Sequence, residues 1–370
     1  MPDDPRVSTL ELFFDLVFVF TITQLTTVLV EAPTARGVLR VVLTLSVIWW
    51  MYGGYVWLTN QVAMAGARRR VALLCGMAAF FVTALAIPQA FGDSGVWFGV
   101  AYLIVVVVHV VLFQQASGAA PAAMLQIFRY NLAAALLVLV GGIAGGTVEE
   151  VLWAGAVFVT WGLCRFLTLS AFEVGPAHFV ERHGLVVLIA IGESVVAVGA
   201  TAGAHHLDGA LIVAALLGLA LSALLWWSYF GGDDDRAEQA MTAEPDLHRR
   251  AMMALEGFGL CFIPLLLGIV LIAAGERESI GDAFHVLDTA PALFLAFGAA
   301  LFLVGETLFR HVLNIAPSGI RLVAAAGCLA TIILGLQVAA AAQLAGLVIV
   351  IGAAFALEGA TAGAPTAEAR

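Results

Sequence analysis

The stretch TLELFFDLVFVFTITQL, Thr9 to Leu25, is apolar enough to cross a bilayer. It nevertheless carries Glu11 and Asp15 near its start and Thr21, Thr23 and Gln24 towards its middle. About 20 apolar residues cross the hydrocarbon core as a helix, and this stretch is one of many in the chain that do so. Further spans are expected near residues 38–59, 71–91, 96–115, 126–145, 150–171, 178–201, 208–230, 251–274, 289–312, 320–337 and 341–358, with the first at 10–30. That makes an all-α polytopic membrane protein of about twelve transmembrane helices. Composition agrees: the 370 residues are 62% hydrophobic and 11% charged, where a soluble domain is about a quarter charged. The N-terminal MPDDPRVSTLE lacks the basic region and small-residue cleavage site of a signal peptide, so the first span is expected to persist in the mature protein.

The formal charge is −10 and every basic side chain is arginine, which speaks against nucleic acid as a partner. The four cysteines lie far apart inside apolar runs and read as small buried hydrophobes, with no metal or cofactor motif among them. Orientation follows the arginines. With a cytoplasmic N-terminus, most arginines, among them Arg68–Arg70, Arg129, Arg165, Arg182, Arg249, Arg250, Arg310 and Arg321, fall inside. Only Arg36, Arg40 and Arg277 fall outside. Both termini are then cytoplasmic. The outer loops read as acidic (Glu149, Glu150, Glu276, Glu278, Asp282, Asp288), and residues 231–250 read as the longest solvated loop.

The chain also reads as two parallel six-helix repeats, 1–175 and 176–360, followed by a disordered tail at 361–370. Aligning Glu11 with Glu181 sets Thr23 opposite Glu193 and Gln24 opposite Ser194, and WWMYGG (Trp49–Gly54) answers WWSYFGG (Trp226–Gly232). Even-numbered repeats point the same way across the membrane, so helices 1 and 7 occupy equivalent places.

Each polar residue has a structural and a functional reading. STLE, Ser8 to Glu11, reads as a capping box. Asp15 lies beyond the first turn and needs a partner, for which Arg129 or Arg70 is a candidate. Glu193, about four turns into its helix, is costly in hydrocarbon and reads as an ion or proton site; the alternative is a carboxyl that only staples helices. Glu256 and Glu306 are further intramembrane acids, and Arg165 is a possible partner or a snorkelling side chain. His109 reads as a histidine satisfied by a backbone carbonyl. Trp49, Trp50, Trp226 and Trp227 read as interfacial anchors, and GGIAGG (Gly141–Gly146) as a close-packing face.

LELFFDLVFVFTITQL, WWMY, HFVERHGLVVLIAIGES and LWWSYF together resemble the low temperature requirement A (LtrA) family of bacterial membrane proteins. The family commonly has an aromatic and a histidine early in helix 9, where this chain reads LEGFG, Leu255 to Gly259. The first helix is also similar to the Phe-Ser-Asp motif of potassium channels built from six-helix repeats, through Phe14, Asp15, Phe18, Ile22, Thr23 and Leu25. That likeness implies a first helix that lines a pore.

The function expected is transport of a small cation or proton-coupled solute along a pathway lined by helices 1 and 7. Asp15, Thr23, Gln24, Glu193 and Ser194 would face it, supported by Glu11, Glu181, Arg129, Arg165, Arg182, Glu256 and Glu306. Lipids are the surrounding partners, and a homo-oligomer is possible. The other reading is an intramembrane enzyme or a ligand-binding sensor with a buried carboxylate pocket.

Overall fold

A computed structural model describes residues 7–62, 66–115, 120–163, 174–203, 206–281, 283–316 and 319–362. Arg165, Cys164, Asp282 and residues 363–370 of the expected tail lie outside them. Every regular element among the described residues is helical. Among the described residues, eleven helices are long and apolar enough to cross a membrane; the sixth expected span runs in part into residues outside the described set.

The local causes are visible at the helix ends. The helix α1 (Thr9–Glu31) opens on the expected capping box, Ser8 with Glu11, and stops just before Pro33. Thr34 caps α2 (Ala35–Gln61) by accepting from the Gly37 amide at 3.1 Å. There follow α3 (Ala67–Ala86), α4 (Gly95–Phe113), α5 (Ala120–Ala144), α6 (Gly146–Val157), α7 (Pro176–Gly203) and α8 (Gly209–Phe230). Next come α9 (Asp233–Ala243) and α10 (Leu247–Met253). The expected loop at 231–250 is thus mostly helix: Asp246 caps α10, and Asp233 is buried in ion pairs rather than solvated. The chain ends in α11 (Phe262–Ser279), α12 (Thr289–Val312), α13 (Gly319–Ala330), α14 (Ile332–Gln337) and α15 (Ala340–Ala362).

Two stretches depart from the α-helix. Phe158–Gly162 continues α6 as π-helix, and Ala254–Leu260 joins α10 towards α11 in the same form. Such insertions loosen the backbone ladder and concentrate at functional positions.

The chain forms two compact units, residues 1–189 with 234–263, and residues 190–233 with 264–370. In the first, α3, α4 and α5 pack in series, and α1 and α2 lie against them and α6. The close-packing face expected from GGIAGG is present at Gly141 and Gly142 but not at Gly145 and Gly146, which follow the end of α5 and where a Cβ would meet nothing within 4 Å. A Cβ on Gly142 would fall 2.3 Å from the Gly95 carbonyl oxygen, so α4 and α5 touch backbone to backbone. Large apolar side chains such as Val71, Leu74, Phe81, Leu85, Val107 and Val111 face outward from α3 and α4, as a lipid-facing surface requires. Cys75 is also exposed on α3, whereas Cys261 and Cys328 are buried as expected.

In the second unit, α12, α13, α14 and α15 pack together and α15 lies on α8. Asp233, Arg310, Arg321, Glu306, Ser228 and Glu358 form one network there. Arg310 grips Asp233 at 2.5 and 2.8 Å, Arg321 meets Glu306 at 2.7 Å and Glu358 at 3.1 Å, and the Ser228 hydroxyl donates to Glu306. Glu306 is therefore paired through Oε2, while its buried Oε1 has no partner among the described residues. Trp226 and Trp227 are exposed, in keeping with anchoring.

Because no side chain separates α4 from α5 at Gly142, Gly142→Val forces overpacking worth about 1–3 kcal/mol. Its thermal unfolding midpoint in detergent should fall below that of Gly155→Ala, whose new Cβ meets a neighbour only at 3.7 Å. Equal midpoints would show that the two helices part without cost.

Candidate functional site

On α1, Glu11 and Asp15 are one turn apart; on α7, His178 and Arg182 are spaced the same way. The two pairs meet in register, Glu11 with His178 at 3.1 Å and Asp15 with Arg182, so α1 and this part of α7 run parallel. Arg182 is buried and holds Asp15 in a two-pronged grip, Nη2 to Oδ1 at 2.6 Å and Nε to Oδ2 at 3.0 Å. Its Nη1 donates to Glu11 at 3.3 Å and to Thr59 Oγ1 at 3.0 Å. The Tyr52 hydroxyl donates to Asp15 Oδ1 at 2.9 Å. Planar guanidinium and carboxylate groups match in this geometry as a lysine would not. Asp15 therefore has a partner, but it is Arg182 and neither of the arginines proposed. Arg129 and Arg70 are exposed, whereas Asp15 is buried. Glu11 serves twice, closing the capping box and taking His178 and Arg182.

The remaining pathway candidates stand as follows. Thr23 and Gln24 are half-buried on α1, and Glu256 is half-buried in the second π-helical segment. Glu181 is exposed, and its carboxylate accepts from the Val7 amide at 3.5 Å. In the second unit, Glu193 is half-buried with Arg277 at 3.6 Å, and Ser194 is fully buried. Of the acids expected in the outer loops, Glu149 and Glu276 are buried, and Glu150 is held by Arg36 and Arg40 at 2.6 and 2.8 Å. Glu278 and Asp288 are exposed.

Beside the ion pair lies a chamber of about 80 Å³ that the sequence reading did not find. Its walls are aromatic: Trp49, Trp50 and Trp57 from α2, Phe113 from α4, Trp161 from the first π-helical segment, Phe179 from α7 and Phe258 from the second. Trp49 is thus a buried wall residue and no interfacial anchor. The indole N–H groups are spent on the walls themselves. Trp49 donates to the Gly259 carbonyl at 3.0 Å, Trp161 to the Ser46 carbonyl at 2.9 Å, and Trp50 to Asn131 at 2.8 Å. What faces inward is ring surface and aliphatic carbon, with no acid or arginine lining it. Gly259 makes the corner: a Cβ there would sit 2.9 Å from the Trp161 ring, which brings the two π-helical segments together. Gly53 is the open part of the wall, where a Cβ would meet nothing within 4 Å.

Two histidines complete the lining. His109 Nε2 pairs with the Gly54 carbonyl at 2.8 Å, the backbone partner expected, while its buried Nδ1 has no partner among the described residues. His183, next to Arg182 in sequence, pairs with the Phe179 carbonyl at 2.8 Å and lies edge-on to Trp49 and Tyr52. Adjacent residues of α7 thus serve the ion pair and the chamber wall. The signal in the sequence was the four-residue spacing Trp49, Gly53, Trp57, which puts two indoles and a gap on one helix face.

A polytopic helical membrane protein with charge pairs buried in its spans and an aromatic chamber in its first unit is the class these features define. The chain belongs to the bacterial low temperature requirement A (LtrA) family, whose model matches residues 6–356. It is also similar to an uncharacterized protein of Rhizobium meliloti (strain 1021), 26% identical over 324 residues that cover 84% of this chain and 78% of the relative.

Removing one partner of a buried pair leaves the other charge stranded, at a cost of about 3–5 kcal/mol. Arg182→Met should therefore lower the thermal midpoint sharply. Adding Asp15→Asn and Glu11→Gln to it should recover part of the loss, which unfolding in detergent would read directly. A triple variant no better than Arg182→Met would show that packing, and not charge pairing, is what Arg182 supplies.

Proposed function

We propose that this protein is a transporter of the bacterial inner membrane, both termini cytoplasmic, that moves a small cation or proton-coupled solute along α1 and α7. The observation that carries this reading is the aromatic chamber inside the span, framed by two π-helical segments and backed by the Asp15–Arg182 pair. Ring faces without competing charges attract a cation or hold a small apolar solute. Tyr52 joins the two features: its hydroxyl binds Asp15 and its ring stacks on Trp49 with centroids 5.0 Å apart. A solute that displaces Trp49 or His183 therefore disturbs the ion pair, and a rearranged ion pair changes the chamber. Thr23, Gln24, Glu193 and Ser194 are the other polar positions of the pathway, where hydroxyl, amide and carboxylate oxygens replace part of a hydration shell.

The apolar lining of the chamber favours one further reading, a ligand-binding sensor. Flux in proteoliposomes decides between them, with K⁺, Na⁺, H⁺ and small organic cations each tested in turn. Wild type should conduct or exchange at least one of these. Gly53→Leu, which fills the chamber from its open wall, and Glu193→Gln should lose most of that flux while keeping the wild-type thermal midpoint. Quenching of tryptophan fluorescence by a solute that is never transported would replace the transporter with the sensor.

A further inference from the structure

Outside its arginine network the second unit holds buried polar side chains without partners among the described residues, and one of them, Ser194, is also a pathway position. Glu276 on α11 is fully buried, and neither carboxylate oxygen has a hydrogen-bond partner among the described residues. Ser194 on α7 and Ser222 on α8 are buried as well, and each hydroxyl is likewise without a partner.

Three contacts bring their helices together at this level. A Cβ on Gly218 of α8 would lie 3.3 Å from Glu276 Oε1 and 3.1 Å from a methyl of Val198 on α7. Ser222 is one turn from Gly218, and Ser194 one turn from Val198, so each shares the face of the residue in contact. The pairing of Glu193 with Arg277 at 3.6 Å joins the immediate sequence neighbours of Ser194 and Glu276. Helical side chains lean towards their own N-terminus. On α11 that direction brings the Glu276 carboxyl to the Gly218 level, one turn of α8 from Ser222.

A carboxylate with both oxygens buried and no hydrogen bond is among the costliest groups a membrane interior can hold. Besides Glu276, the charged groups within residues 190–203 of α7 and 264–279 of α11 are Glu193, Arg277 and Glu278. Residues 209–228 of α8, 289–305 of α12 and 340–357 of α15 contain none. Arg277 is given to Glu193 at 3.6 Å. The unmet need is for a small positive charge, and the atoms available to meet it are all oxygen.

We propose that Glu276, Ser194 and Ser222 form a buried site for a small monovalent cation, a proton or Na⁺. Carboxylate and hydroxyl oxygens suit both, since each is a hard cation that accepts oxygen donors. The site rests on the transport reading for its purpose, as the coupling position of the carrier, but its occupancy is measured without flux.

The test uses the purified full-length protein and a hydrophobic carbodiimide, which adds to a protonated carboxyl in an apolar setting; the adduct is located by mass spectrometry. Glu276 should be labelled at acid pH and lose the adduct as pH rises, and Glu276→Gln should lose it outright while remaining folded. Protection by Na⁺, with choline as the control, identifies Na⁺ as the occupant; pH dependence without protection identifies the proton. Ser194→Ala and Ser222→Ala should weaken the protection or shift the pH at which labelling is lost. Absence of the adduct at every pH, or labelling indifferent to pH, Na⁺ and both serines, overturns the site. Labelling as expected beside silent proteoliposomes would leave the site standing and remove the transporter.

Discussion

A guanidinium buried between membrane helices constrains everything around it. It cannot shed its charge, so every position from which it can be hydrogen-bonded has to be supplied by the fold. Arg182 obtains those partners from three directions: Asp15 and Glu11 on α1, and Thr59 on α2. That requirement sets the rotation of α1, because both acids must face α7, and it sets the register, because a shift by one turn would leave one of the two carboxylates without a partner. Tyr52 extends the constraint to α2, where Trp49 and Trp50 then face the chamber. Hydrophobic packing alone would leave these rotations weakly specified, since lipid tails are as apolar as the helices.

The number, class and approximate bounds of the spans were legible because length and hydropathy are local properties. The capping box, the glycine contact of α5 and the backbone partner of His109 were legible for the same reason. What escaped was long-range pairing. The interval of 167 residues between Asp15 and Arg182 holds no signal of proximity in a single sequence, and Arg129 had an equal claim by depth alone. Residues 233–243 read as a loop because their mean polarity is high, yet Asp233 at the start of that helix is drawn into a buried arginine network. Glu276 read as a loop acid because it stands beside Arg277 and Glu278 at the end of a span. Its side chain turns inward while its neighbours do not, a distinction of about a quarter turn of helix. Trp49 was misread on α2, where it is buried, while Trp226 and Trp227 on α8 are exposed although the two motifs are alike, because burial is decided by what the facing helices bring.

Each unit handles intramembrane charge in its own way. In the first, the acids and arginines close upon one another beside an uncharged chamber. In the second, Arg310 and Arg321 absorb Asp233, Glu306 and Glu358, while Glu276 is left outside that network. A network of several paired groups is structural in character, because each charge has more than one partner. The carboxylate left out of it is the group whose chemistry is free to respond to something that arrives from outside the protein.

The Gly95–Gly142 contact also governs how the first unit can deform. Backbones already in van der Waals contact cannot approach further, and a slide would drive the flanking side chains of one helix into the main chain of the other. α4 and α5 therefore behave as a single strut carrying His109, Phe113 and Asn131 as a fixed wall. The opposite wall hangs on segments wound as π-helix, where one residue per turn is surplus to the ordinary ladder. Passing that surplus along the helix by one position would turn Trp161 or Phe258 out of line without breaking the rod at either end, so changes in the width of the chamber fall to these two segments.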